Sequence, residues 1–72
     1  MHTRIRHDQE ADAAYIDLVP VVKSGEAVEQ VIVARPPKGE VILDFDENGF
    51  LLGVEIIGAI DLLRPETLTE AT

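Results

Sequence analysis

The tripeptide Glu47-Asn48-Gly49 separates two segments in which apolar and polar residues alternate, and that arrangement dictates a β-hairpin over residues 40–57. Asn and Gly tolerate the positive φ that a tight turn demands. On the first arm Val41, Leu43 and Phe45 share a face. The return arm, residues 50–57, does not keep a simple phase. If Leu51 faces the core with Phe45, strict alternation puts Glu55 inside as well. Val54 and Ile56 are the better buried pair, so a bulge is expected at Leu52-Gly53, where glycine suits the irregular backbone.

The rest of the chain adds three more strands. Residues 3–7 read as a short first strand, and residues 13–19 as a second after the polar turn Asp8-Gln9-Glu10-Ala11-Asp12. In the second strand Tyr15 and Asp17 share one face, and Ala14, Ile16 and Leu18 the other. Residues 27–35 form a third strand centred on Val31-Ile32-Val33, broken by Pro36-Pro37-Lys38-Gly39. Residues 59–64 suit a short helix stopped by Pro65. Residues 65–72 read either as a second helical turn with Pro65 at its first position or as a mobile tail. The expected fold is therefore α+β: a small antiparallel sheet of about five strands with one short C-terminal helix. Residues 1–72 make a single domain with its core in about residues 3–63.

A chain of 72 residues has a small core, and small cores often need a staple. Cysteine is absent, which removes disulfides, thiolate zinc sites and cysteine nucleophiles. Apolar residues at 46% argue against disorder. No apolar run approaches the roughly 18 residues of a membrane span, and the N-terminal residues lack a signal-peptide core, so a cytoplasmic location without membrane contact is expected. Fourteen acidic residues against six basic ones give a net charge of −8. Nucleic acid is a poor partner for that surface; a basic protein or a cation is attracted.

Residues 7–18, His-Asp-Gln-Glu-Ala-Asp-Ala-Ala-Tyr-Ile-Asp-Leu, taken with residues 41–57, resemble a small bacterial family, domain of unknown function 2283. Asp8, Glu10, Ala11, Asp12, Ala13, Tyr15 and Ile16 match its first motif. Asp44, Asp46, Gly49, Gly53, Val54, Glu55 and Ile56 fit its second. Here His7 replaces the usual aromatic, Gln9 the usual Pro and Ala14 the usual large apolar residue, which bears on packing of the first hairpin. The resemblance covers residues 3–63. It implies an antiparallel sheet with one C-terminal helix, no established activity, and members sometimes encoded beside a small basic protein. That context implies an antitoxin-like or other paired-binding role.

Two clusters invite a metal reading. Asp44-Phe45-Asp46-Glu47-Asn48-Gly49 followed by Glu55 satisfies the calcium-loop pattern, with Asp44, Asp46 and Asn48 as candidate ligands. Both flanks, however, read as strands and not as the helices of an EF-hand. Glu55 would lie several residues down the return strand, out of reach of the turn. His7, Asp8, Glu10 and Asp12, with His2 nearby, form the second cluster, but no ligand spacing of strong specificity joins them. Carboxylates at turns more often cap backbone amides, so no metal and no cofactor are expected. The only serine, Ser24, sits in a turn beside Gly25, and no catalytic residue is expected.

The surplus of apolar strand is the more informative feature. One helix covers one face of a sheet, and the return strand carries apolar residues on both. Phe50, Leu52 and Ile57, with Leu62 and Leu63 of the C-terminal segment, are therefore the interface candidates. A homodimer that buries the second face is expected, unless residues 65–72 fold back over it. The function expected from all this is a non-catalytic protein-binding module, in one form an antitoxin-like partner of a small basic protein. A self-associating module in the style of PRC-barrels and a weak divalent-metal binder are the alternatives.

Overall fold

Strand β5 (Leu51–Ile57) is the centre of a five-stranded sheet, flanked by β2 (Ala13–Asp17) on one side and β4 (Gly39–Phe45) on the other. Strand β1 (Arg4–Asp8) pairs with the outer side of β2, and β3 (Glu29–Arg35) with the outer side of β4. The order is β1-β2-β5-β4-β3, antiparallel throughout. Two helices follow, α1 (Ala59–Leu62) and α2 (Pro65–Thr69). This is a computed structural model, and it describes residues 4–71.

The fold is α+β, as its sequence implies, with two short helices where one was expected. The chain leaves α1 before Arg64, which adopts an extended conformation as a residue preceding proline does. Pro65 then opens α2, and Leu68 of that helix packs against the core. The helical alternative for the C-terminal segment is the one that forms.

Strand register sorts the side chains into two unlike faces. One row across the sheet runs Ile5, Ile16, Val54, Leu43, Val31, and the next His7, Ala14, Ile56, Val41, Val33. The opposite face carries Arg6, Tyr15, Glu55, Ile42, Ile32 in one row and Arg4, Asp17, Gly53, Asp44, Gln30 in the next. Both helices lie on the first face. There Ala14, Ile56 and Ala59 are buried, with Ile5, Ile16, Val54, Leu62, Leu63 and Leu68 packed around them.

The bulge lies where the apolar phase requires it. Phe45 opposes Leu51 and Asp44 opposes Gly53, which leaves Leu52 as the extra residue on β5. The reset keeps Val54 and Ile56 on the face of Leu43 and Val41 and sends Glu55 to the other. Leu52 itself is 3% exposed, and its carbonyl accepts the Leu18 N–H at 3.1 Å. This corrects its place among the interface candidates: the bulge turns it inward. Leu62 and Leu63 are half-buried, each with one side against the core cluster.

The first hairpin turn also holds the helix. Asp12, at φ 50, lies in the left-handed region that aspartate tolerates better than most residues. Its carbonyl accepts the N–H groups of Gly58 at 3.0 Å and Ala59 at 3.1 Å, and its Oδ1 accepts that of Ile60 at 3.1 Å. The free amides that open a helix are thus satisfied from 46 or more residues away in sequence, Asp12 to Gly58 being the nearest of the three. Gly58 makes the corner into α1 at φ 84, and a Cβ there would collide with the Lys38 carbonyl oxygen.

Candidate functional site

On the face away from the helices, polar side chains from four strands form one connected belt. Asp17, 7% exposed, accepts a two-point fork from Arg6: Nε to Oδ2 at 2.9 Å and Nη2 to Oδ1 at 3.0 Å. Arg4 Nε adds a longer bond to Oδ2 at 3.4 Å. The Arg6 fork holds the Asp17 carboxyl below the usual carboxylate range against the opposing effect of burial. Its guanidinium also lies 5.0 Å from the Tyr15 ring centroid, within cation–π range.

Tyr15 carries the belt across the centre of the sheet. Its hydroxyl donates to Asp44 Oδ2 at 3.1 Å, while Gln30 Nε2 donates to Asp44 Oδ1 at 2.9 Å. Asp44 is 5% exposed and so depends on these donors. The phenol lies over Gly53: a Cβ there would sit 2.5 Å from Tyr15 Oη. Burial, then the bond to Asp44 and the charges of Asp44 and Asp17, push the Tyr15 hydroxyl up to about 12. At neutral pH it therefore stays a donor. Arg6 and Asp17 hold opposite charges against each other. The belt joins β1, β2, β4 and β3 over a bare point of β5, and its chemistry is that of a tie between strands.

The candidate metal ligands are spent on backbone and neighbours. Asp46 Oδ1 accepts the amides of Asn48 and Phe50, each at 2.9 Å, so it closes its own turn. Asp44 faces Tyr15 and Gln30, and Glu55 stands opposite Ile42 in mid-strand. In the first hairpin, Asp8 Oδ1 accepts the amides of Glu10 at 3.1 Å and Ala11 at 3.3 Å. Asp12 caps α1 and meets His7 Nε2 at 3.4 Å. His2 lies outside the described residues. Among the described residues no group of three or more metal-ligating side chains gathers.

Apolar exposure includes Phe50, as expected, but also Val21, Val28, Ile60 and the middle of β3, which the sequence alone did not single out. All seven residues of β3 are exposed, with Val31 at 41%, Ile32 at 58% and Val33 at 44%. Phe50 at the hairpin tip is 70% exposed, and Ile57 is half-buried. Because β3 ends the sheet order, its outer backbone edge faces no strand among the described residues. The run Val31-Ile32-Val33 and the break at Pro36-Pro37 locate β3; only the sheet order reveals that it is an edge.

Residues 4–59 match the model of a family described as a protein of unknown function, DUF2283. The chain belongs to this family. No curated protein and no solved structure matches it. The DUF2283 motif positions seen in the sequence now have places. Asp8 and Asp12 shape the first turn, Asp46 and Gly49 the second, and Tyr15, Asp44 and Gly53 meet at the middle of the belt. Among the described residues of this DUF2283 chain no helix is long and apolar enough to cross a membrane.

Proposed function

We propose that this DUF2283 protein is a non-catalytic protein-binding module that engages other polypeptide through β3. One observation carries the proposal: the outermost strand is exposed along its whole length and has Val31, Ile32 and Val33 at its middle. An apolar edge of this kind is a template for strand addition, and proteins without a use for one usually blunt it. The other edge, β1, is blunted in that way, being five residues long and carrying Arg4 and Arg6.

A paired capture from native extract tests the proposal, with the wild-type chain and Ile32→Lys as baits. A protein recovered by the first and lost with the second supports it. Equal recovery by both, or none by either, rejects it. Net charge favours a second, more specific form, in which the protein held is small and basic and the chain acts like an antitoxin. In that form the captured protein is basic and its binding weakens steeply with salt.

A further inference from the structure

The sequence of β3 is complementary to itself. It reads Glu29-Gln30-Val31-Ile32-Val33-Ala34-Arg35, acidic at one end, basic at the other, and apolar between. Neither Glu29 nor Arg35 makes an ion pair within the chain among the described residues. Taking β3 as the binding surface argued above, we propose that its occupant is β3 of a second copy of this chain, antiparallel, with Ile32 on the two-fold axis.

Symmetry leaves few choices of register. A two-fold axis perpendicular to the sheet keeps each face on its own side, so directly opposed residues must come from the same face. The axis then passes through a residue and its own copy. With Ile32 there, Val31 opposes Val33 of the other copy twice, Gln30 opposes Ala34 twice, and Glu29 opposes Arg35 twice. Centring on Val31 strips Arg35 of a partner within the strand. Centring on Val33 does the same to Glu29 and sets Val31 against Arg35. Only the Ile32 register uses all seven residues and pairs both charges.

The product is a continuous sheet of two copies that buries both β3 edges. Glu29, Val31, Val33 and Arg35 lie on the helix-bearing face, so the cross-strand Val pairs extend the apolar rows of each copy into the other. Net charge of −8 on each copy opposes the encounter at long range. At physiological salt the screening length is about 8 Å, so the ends of β3 feel mainly each other.

Charge exchange tests the register. Glu29→Arg and Arg35→Glu are exposed substitutions, and each creates two like-charge oppositions in its own homodimer. Each variant is expected to self-associate about tenfold or more weakly than wild type by sedimentation velocity. Mixed in equal amounts, the two are complementary at both ends and should pair with near wild-type affinity. Cysteine substitution gives a second readout, since the chain has no cysteine of its own. Opposed residues in such a ladder have Cα atoms about 4.5–5.5 Å apart, which suits a disulfide. Ile32→Cys should therefore cross-link to itself under mild oxidation, whereas Val31→Cys should not do so alone but should cross-link to Val33→Cys. A wild-type chain that stays monomeric at millimolar concentration overturns the proposal, as does a dimer that ignores the charge exchange and cross-links in another register. If the chain is monomeric yet capture remains sensitive to Ile32→Lys, β3 is still a binding surface, and only its occupant is wrong. If capture is insensitive as well, both fail.

Discussion

Tyr15 reaches Asp44 across Gly53, donating its hydroxyl to Oδ2 at 3.1 Å over the one point of the central strand that has no side chain. The contact joins β2 to β4, which are not neighbours in the sheet, and so braces β5 between them. Its neighbours extend the brace. Gln30 ties β3 to Asp44, and Arg6 ties β1 to Asp17. A small domain with little fully buried apolar side chain gains from polar ties of this kind, because each holds a buried carboxylate that would otherwise be unsatisfied.

Removing the Tyr15 hydroxyl should therefore cost more than an exposed hydrogen bond. Tyr15→Phe leaves Asp44 with Gln30 alone and is expected to lower stability by about 1–2 kcal/mol in urea unfolding at neutral pH. The effect has a pH signature. The phenol ionises at its ordinary 10.0 in the unfolded chain and at about 12 in the fold. A group whose folded value is raised stabilises fully below its unfolded value, and that contribution is lost as pH climbs through the folded one. The gap between wild type and Tyr15→Phe should be constant below pH 10.0 and close between there and about 12. A gap that does not change across that range would show that the phenol is not held by Asp44.

Gly53→Ala tests the same contact from beneath. A Cβ there would lie 2.5 Å from Tyr15 Oη and 2.7 Å from Cε1 and Cζ, so the ring must lift and give up Asp44. The single change is expected to cost about 2 kcal/mol or more. With the ring removed the clash is gone. In a Tyr15→Ala background, Gly53→Ala should cost about 1 kcal/mol less than in wild type, a coupling measured by a double-mutant cycle.

Asp17 sets the acid limb. Its folded value is lowered, first by the Arg6 fork, so its contribution is present above the ordinary 3.8 and is lost as pH falls through the depressed value. Asp17→Asn is expected to cost about 1–2 kcal/mol at neutral pH, a modest figure because both arginine partners are about half exposed to water. Acid unfolding followed by circular dichroism should show the two proteins converging below pH 3.8. Parallel curves there would break the link between Asp17 and the arginines.

What the sequence makes legible here is local. The alternation of Val41, Leu43 and Phe45 against Val54 and Ile56 locates a hairpin and places its bulge within two residues, because both signals lie inside one short loop of chain. Turn carboxylates such as Asp8 and Asp46 follow the same logic. The belt and the edge are not local. Tyr15 meets Asp44 over 29 residues and Asp12 meets Ile60 over 48, and both contacts exist only because β5 inserts between β2 and β4. The apolar surplus was visible in the composition of β5. Its location is legible only in part: Phe50 is exposed at the hairpin tip, but Leu52 is drawn into the core, and Val31, Ile32 and Val33 are left outside by a strand order that pattern alone does not specify.

Asp12 offers the sharpest separation between a metal ligand and a structural cap. As a cap it supplies its carbonyl to Gly58 and Ala59 and its Oδ1 to Ile60, from a backbone at φ 50. Asparagine keeps both an oxygen acceptor and tolerance of that conformation, whereas alanine keeps neither. Asp12→Asn should therefore change stability by less than about 0.5 kcal/mol, while Asp12→Ala should lose about 1–3 kcal/mol and increase amide exchange at Ile60. A metal ligand behaves differently: asparagine and alanine would both abolish a shift in melting temperature on adding millimolar calcium, zinc or manganese to the wild-type chain. The expected result is no such shift in wild type, together with the asparagine–alanine split in stability.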